Sequence, residues 1–130
     1  MPYTLELDRD LGVLDLRYHG TVSAAQRLEA WTKAAPMLQA SGVRRILIDL
    51  TDASAAHEPL QNLREFVGRI TREPLLLASR TAFVAPAVHP ANHLVEMLAD
   101  ARRYPFSRFT DRAAALDWLL GDAPPMGLSH

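Results

Sequence analysis

The sequence predicts a single α/β domain whose sheet is mostly parallel. Two alternating segments near the N-terminus predict a β-hairpin, and the strand and helix patterns that follow alternate along the chain, which is typical of a parallel sheet. The 130 residues contain no linker that would separate a second domain. The predicted order is ββαβαβαβα, with the domain at residues 1–121 and a flexible tail at 122–130.

The hairpin is predicted from a period of two. In residues 3–8 every second side chain is apolar, and residues 13–18 repeat the alternation. A short turn containing Gly12 separates the two segments, so we expect two half-buried antiparallel strands that end at His19-Gly20.

The first helix has both a start and a stop signal. Ser23 and Gln26 have the spacing of a capping box, with Thr21 as a rival N-cap, and Gly42 has the usual C-terminal role. Pro36 lies inside the pattern and predicts a kink or a shortened last turn. The expected buried face recurs every three or four residues: Ala24, Leu28, Trp31, Ala35 and Leu38.

A buried central strand and a second helix come next. The run Ile46-Leu47-Ile48-Asp49-Leu50, apolar except for Asp49, predicts a strand covered on both faces, and residues 51–57 are expected to form a loop at its end. Glu58 and Pro59 suit the first turn of a helix, which Glu73-Pro74 ends. Residues 75–77 fit either a connector or a strand. The expected buried face of this helix is Leu60, Leu63, Phe66, Val67 and Ile70.

Two further strand–helix units complete the prediction. Residues 81–84 form a short strand followed by a loop at 85–90, and residues 106–109 form the last strand, with Thr110 or Asp111 as the cap of the last helix. The third helix is expected to bury Leu94, Met97, Leu98 and Ala101, and the last one to bury Leu116, Trp118, Leu119 and Leu120 before Gly121.

Composition excludes several classes of function. The net charge is −1 and there is no cysteine, which argues against a strongly basic nucleic-acid binder and excludes thiolate chemistry. We expect no signal peptide, because the first residues lack a basic stretch followed by an apolar one, and no apolar run approaches the ~20 residues of a membrane span. The expected location is the cytoplasm.

Three segments carry a resemblance to a known family. They are the helix start Gly20-x-Val22-Ser23, the strand at 46–51, and the closing Phe109-Thr110-Asp111 with Ala115 and Trp118-Leu119. In this order and spacing they resemble the SpoIIAA-like family, which is related to STAS domains (sulfate transporter and anti-sigma factor antagonist). The resemblance implies one α/β domain of that type and no particular activity. The CRAL-TRIO lipid-binding domains are a more distant analogy, which would imply an apolar pocket.

The sequence departs from the signalling members of this group at their phosphorylation motif. Those members present Asp-Ser-x-Gly after the central strand, and a kinase phosphorylates the serine. Here the segment reads Asp52-Ala53-Ser54-Ala55-Ala56, so an alanine separates the acid from the serine and no glycine follows. We therefore expect Ser54 not to act as a phosphoserine switch.

Polar side chains gather in the two loops that follow the predicted central strands. Ligands of open α/β sheets bind beyond the carboxyl ends of the strands, so these loops are the candidate ligand site. Ordinary helix capping by the same residue types is the competing explanation. The candidate ligand-binding residues are Thr51, Asp52, Ser54, His57, His89, Asn92 and His93.

Catalytic and metal chemistry have weaker support. His89 and His93 stand four residues apart, and with Asp52 or His57 they would supply the three ligands of a catalytic zinc, but the His-Glu-x-x-His pattern is absent. Ser54, His57 and Asp52 would form a catalytic triad only if these three residues of one short loop had the mutual hydrogen bonds that a triad requires, which is rare. We expect no catalytic residues, no metal and no cofactor.

The favoured hypothesis is a non-enzymatic module that binds a protein or a small ligand. The first alternative is a domain that binds a lipid-like or other apolar molecule between the sheet and the second and third helices. The second alternative is a small hydrolase or metal enzyme that uses Asp52, His57, His89 and His93. A homodimer is also predicted, since edge strands and apolar helix faces are common pairing surfaces.

We predict that Ser54 is not phosphorylated in its native cell. Ala55 and Ala56 do not favour a sharp turn, and the Asp52 carboxylate opposes a second anion nearby. Phosphopeptide mass spectrometry of the native protein should recover the Ser54 peptide only in its unmodified form. Phosphorylated Ser54 together with a hundredfold change in partner affinity, about 2.7 kcal/mol, would contradict the prediction.

Overall fold

The computed structural model describes residues 2–85, 100–101 and 103–121. In these residues one five-stranded sheet has the order β1-β2-β3-β4-β5. β1 and β2 are antiparallel and the other neighbours are parallel, so the predicted mostly parallel sheet is confirmed. The strands are β1 (Tyr3–Asp8), β2 (Val13–Val22), β3 (Arg45–Ala55), β4 (Arg80–Val84) and β5 (Phe106–Phe109).

Four helices are described in full, and three of them, all except α3, were predicted from local sequence signals. They are α1 (Ala24–Ser41), α2 (Leu60–Ile70), α3 (Pro74–Leu77) and α4 (Arg112–Leu120). Of the predicted buried face of the third helix, only Ala101 lies within the described residues, and it is exposed, so this expectation is wrong for Ala101. Leu94, Met97 and Leu98 lie outside them, as does the predicted tail at 122–130.

The ends of α1 form as the sequence predicts. Ser23 is the N-cap, with the complete capping box to Gln26, and Gly42 ends the helix with a φ of 76° and donates its N–H to the Leu38 carbonyl. Pro36 does not shorten the helix, which continues to Ser41. The buried face of α1 was predicted wrongly in part, since Trp31 is only partly buried. The buried residues are Ala24, Arg27, Ala30, Ala34 and Leu38.

Several predicted boundaries and buried positions are wrong. Leu28 and Ala35 of α1 are only partly buried, like Trp31, while Leu60 of α2 and Leu120 of α4 are exposed. The second strand of the hairpin continues to Val22 rather than ending at His19-Gly20.

Two further expectations about local structure need correction. Glu58 does not lie in the first turn of α2, because Pro59 is the N-cap of that helix; its carboxylate instead accepts a hydrogen bond from Ala24 N at the start of α1. A carboxylate there satisfies an N–H that the helix leaves unpaired and complements the helix dipole. Residues 75–77 belong to the one-turn helix α3 rather than to a strand.

The sheet has two covered faces. On the first face, Leu14, Leu16, Ile46 and other apolar residues of the strands form one core cluster with α1, α2 and α3. On the second face, a smaller cluster joins the strands to α4. Its buried members are Val13, Leu47, Ala82, Val84, Ala115, Trp118 and Leu119.

The second face is only half covered. α4 packs on β3, β4 and β5. Beyond the buried Val13, the second-face residues of β1 and β2 are polar and exposed or half-exposed: Thr4, Glu6, Asp8, Asp15, Arg17 and His19. This uncovered half positions the candidate site.

We predict that Trp118→Ala costs about 3–5 kcal/mol of unfolding free energy, the usual range for emptying a large aromatic site in a core. Trp118 is 7% exposed, and its ring lies 5.7 Å from that of Phe109. Leu120→Ala on the same helix is the matched control, because Leu120 is 43% exposed and should cost below about 1 kcal/mol. Urea denaturation of both variants measures the difference in unfolding free energy. If Trp118→Ala lowered this free energy no more than Leu120→Ala does, Trp118 would not be a core residue.

Candidate functional site

Four of the seven site residues proposed from sequence lie within the described part of the chain, three of them on one strand and the fourth in a loop. Thr51, Asp52 and Ser54 lie within β3 rather than in a loop, because β3 continues beside β2 as far as Ala55. His57 is exposed in the short loop before α2. His89, Asn92 and His93 lie outside the described residues, so the convergence of the two loops stays a prediction.

A β-bulge in β3 gives this region its geometry. Arg17 of β2 is paired with Asp49, and His19 is paired with Asp52, so β3 spans three residues where β2 spans two. A bulge of this kind changes the direction of side chains along the strand. Asp49, Thr51 and Asp52 consequently line one depression of about 240 Å³ on the second face of the sheet. Thr51 and Asp52 of the predicted set are therefore brought together.

Arg112, the first residue of α4, also lines this depression and forms ion pairs there. Arg112 Nη2 donates to Asp15 Oδ2 at 2.7 Å, and Arg112 Nη1 donates to Asp49 Oδ2 at 2.8 Å. The backbone N–H and the hydroxyl of Thr51 both donate to the other oxygen of Asp49. We call Arg112, Asp15 and Asp49 the arginine–aspartate junction. It connects β2, β3 and α4 through charge-assisted hydrogen bonds.

The charges of the junction stabilise one another. Burial on its own raises the pKa of Asp49, but hydrogen bonds from Thr51 and Arg112 outweigh it, and the net pKa shift is downward. The pKa of Arg112 is raised, first by its hydrogen bond to Asp15 and then, against a smaller effect of burial, by its hydrogen bond to Asp49. The Asp49 carboxylate and the Arg112 guanidinium are therefore both charged at neutral pH.

The junction lies at the border of a wider polar surface. Besides the depression beside Asp49, two more of about 290 and 320 Å³ extend over β1 and β2. We call the polar residues of these three depressions the open face, since α4 does not cover them. They are Thr4, Glu6, Asp8, Asp15, Arg17, His19, Asp49, Thr51, Asp52 and Arg112.

The first face of the sheet contains a different kind of space. An enclosed cavity of about 60 Å³ lies between the sheet and α1, α2 and α3, and its lining is almost entirely apolar. Arg27 is the charged residue of that lining among the described ones; its guanidinium lies 5.7 Å from the centre of the Tyr18 ring. Burial lowers the pKa of Arg27, and the nearby Tyr18 and Glu58 oppose that shift.

Neither a metal centre nor a membrane-spanning helix is found in the part of the chain that the structure describes. Within residues 2–85, 100–101 and 103–121, no three side chains of histidine, cysteine, aspartate or glutamate are grouped so that they would hold a metal ion. None of the helices formed by these residues is long and apolar enough to cross a bilayer.

Comparison with solved structures shows the SpoIIAA-like fold. An uncharacterised protein of the DUF3478 family with this fold, from Shewanella loihica PV-4, superposes over 90% of this chain and 91% of its own with a TM-score of 0.50. The two sequences are 20% identical, so the similarity concerns the fold alone. No protein-family model matches the sequence, and no curated protein matches it. The fold that the sequence resemblance implied is therefore confirmed.

We predict that Arg112→Gln lowers the unfolding free energy at pH 7 by about 1.5–3 kcal/mol, the range for hydrogen bonds to charged groups. The pKa of Asp49 is depressed in the folded protein, so its contribution is present above its unfolded pKa of about 3.9 and is lost as the pH falls through the folded value. Without Arg112, two of the contributions that lower the pKa of Asp49 are lost, so this pKa is higher in the variant than in the wild type. The difference between the variant and the wild type should therefore shrink as the pH falls from 7 toward about 3.

Urea denaturation as a function of pH measures this difference. Arg17→Gln is the matched control, because Arg17 also contacts Asp15, at 3.2 Å, but its side chain is 49% exposed. Arg17→Gln should lower the unfolding free energy by less than about 1 kcal/mol at every pH, as for other surface ion pairs. Equal losses for the two variants, or a loss for Arg112→Gln that does not change with pH, would contradict the role of the junction.

Proposed function

We propose that this protein is a non-enzymatic binding module whose open face recognises a basic segment of another protein. The observation that carries the proposal is the uneven charge of that face. Five carboxylates line it against two guanidinium groups, and Asp15 and Asp49 already pair with Arg112. Glu6, Asp8 and Asp52 form no ion pair within the described residues. A partner with lysine or arginine side chains would complement this surface.

The backbone of β1 adds a second feature that suits a polypeptide partner. β1 is at the edge of the sheet, so the N–H and C=O groups along its outer side are not paired by another strand of the described sheet. An extended segment can pair with such an edge while its side chains contact the adjoining face. This arrangement supports a protein partner rather than a small molecule at the open face.

The negative charge of the open face favours a different protein over a second copy of this chain as the partner. In a two-fold symmetric dimer, the same patch meets itself. Two copies of the open face would bring Glu6, Asp8 and Asp52 toward their counterparts, and the repulsion would oppose pairing there. The predicted homodimer thus gains no support from this surface, and any dimer would use another one.

The apolar-ligand alternative has one supporting observation, the cavity beneath α1 and α2. Its volume of about 60 Å³ is well below the roughly 300–1,000 Å³ typical of ligand pockets. In the described part of the chain the cavity therefore has too little space for a lipid chain, and we place this alternative second. The enzymatic alternative depends on His89 and His93, on which the described residues give no information.

The proposal can be tested by NMR titration of the ¹⁵N-labelled protein with an eight-residue peptide of alternating arginine and threonine. We expect shifts confined to the open face and to β1, and binding that weakens as salt is added. Glu6→Lys should weaken binding about five- to tenfold at low salt, since two charge units at about 6 Å contribute roughly 1.4 kcal/mol in water.

Two controls make the test specific. Glu65→Lys changes an exposed charge on α2, on the other face of the sheet, and should alter the affinity less than twofold. A peptide of alternating glutamate and threonine should not bind. The proposal fails if the basic peptide causes no shifts at millimolar concentration, if its shifts lie elsewhere, or if both peptides bind equally.

A further inference from the structure

Three arginines converge on a groove at the opposite end of the sheet. Arg45 and Arg80 are the first residues of β3 and β4, and Arg44 lies immediately before Arg45 in the turn after α1. The groove has a volume of about 430 Å³. We call it the arginine groove; its described lining is Gly12, Ser41, Gly42, Val43, Arg44, Arg45, Ala78 and Arg80.

Hydrogen bonds to helix ends hold these side chains in place. Arg44 Nη1 donates to the carbonyls of Leu38 and Val43 at 2.9 and 2.7 Å, at the end of α1. Arg45 Nε donates to the Leu119 carbonyl at 2.8 Å, at the end of α4. Arg80 Nη1 donates to the Gly121 carbonyl at 2.8 Å, and its guanidinium lies 4.1 Å from the centre of the Trp118 ring.

Donors remain after these contacts are made. Within the described residues, Arg44 Nε and Nη2 and both Nη atoms of Arg45 make no hydrogen bond. Neither arginine forms an ion pair there, and no aspartate or glutamate is among the described residues that line the groove. A guanidinium group presents a rigid fork of N–H donors that matches phosphate oxygens two at a time.

The unused donors of Arg44 and Arg45 indicate which anion the groove would take. Together these two side chains offer four nitrogen atoms whose N–H groups bond to no described residue. The two oxygens of a single carboxylate match one guanidinium fork, whereas the terminal oxygens of a phosphate monoester or a pyrophosphate can pair with both.

We propose that the arginine groove binds a phosphate group, supplied either by a free phosphorylated metabolite or by a phosphorylated lipid headgroup. The site is separate from the open face and does not depend on the proposed protein partner. The same arginines hold the ends of α1 and α4, so the positions of their remaining donors are fixed before the ligand arrives, which lowers the cost of binding.

Titration calorimetry with pyrophosphate at low ionic strength tests the free source. We expect saturable binding, and Arg44→Gln should weaken it about tenfold, because it removes a charge-assisted pair. Arg44→Lys keeps the charge but loses the fork, so an intermediate affinity is expected. Arg64→Gln removes an exposed arginine of α2 and should change the affinity less than twofold. Thermal melts establish that each variant is folded.

Sedimentation with phosphatidylcholine vesicles that contain one-tenth phosphatidylinositol bisphosphate tests the lipid source. Binding to pyrophosphate alone assigns the groove to free metabolites, and Arg44-dependent binding to these vesicles, but not to pure phosphatidylcholine, assigns it to a headgroup. The proposal is overturned if neither probe binds, or if Arg44→Gln weakens binding no more than Arg64→Gln. Should Arg44→Gln not fold, Arg45→Lys replaces it under the same criteria.

Discussion

The contact between Arg112 and the two aspartates determines how the second face of the sheet is arranged. Asp15, Asp49 and Arg112 are separated by up to 97 positions in sequence, yet they meet within 2.8 Å in the structure. An arginine in the first turn of a helix is unfavourable for the helix dipole, and a buried aspartate in an apolar strand is unfavourable for solvation. Each charge is tolerated because the other is present. This mutual dependence fixes where α4 begins relative to β2 and β3.

That position has consequences for the rest of the face. From Arg112 onward α4 runs over β3 and β4, and its apolar residues cover Leu47, Ala82 and Val84. On this face Thr4, Glu6 and Asp8 of β1 and Asp15, Arg17 and His19 of β2 have no helix above them, and they are accordingly polar. The junction thus lies at the boundary between the covered, apolar half and the uncovered, charged half. A binding surface beside a rigid ion-paired boundary is well suited to recognition, since its charged groups are already oriented.

Local sequence patterns were sufficient for most of the fold. The hairpin, the capping box at Ser23 and the stop at Gly42 depend on residues close together in the chain, and all three are present in the structure. The end of β3 was missed because Thr51–Ala55 are small or polar residues that suit a loop. They form a strand because β2 continues beside them, from His19 to Val22, and that pairing is not encoded locally.

The candidate site was harder to predict for the same reason. Two warning signs were present in the sequence: Asp49 interrupts an otherwise apolar strand, and Arg112 follows the helix cap Asp111 where acidic residues are favoured. Each sign shows that a charge needs a partner, but only the three-dimensional arrangement shows that Asp49 and Arg112 pair with each other and that Asp15 is the second partner of Arg112. Arg27 shows a similar limit, since a helical period assigns position 27 to the buried face while its charge assigns it to solvent.

The two proposed surfaces use arginine in opposite ways, and this difference follows from the direction of the helices. At the start of α4 the end of the helix dipole is positive and disfavours a cation, so the Arg112 guanidinium is stabilised by its ion pairs with Asp15 and Asp49. At the ends of α1 and α4 the dipole is negative, and one contact to a carbonyl is enough to hold Arg45 in place. Its remaining donors stay available within the described residues. A parallel sheet collects several such helix ends at one edge, so arginines there can serve both as helix caps and as ligands for an anion. At the other edge, the donors of Arg112 are already bonded to Asp15 and Asp49.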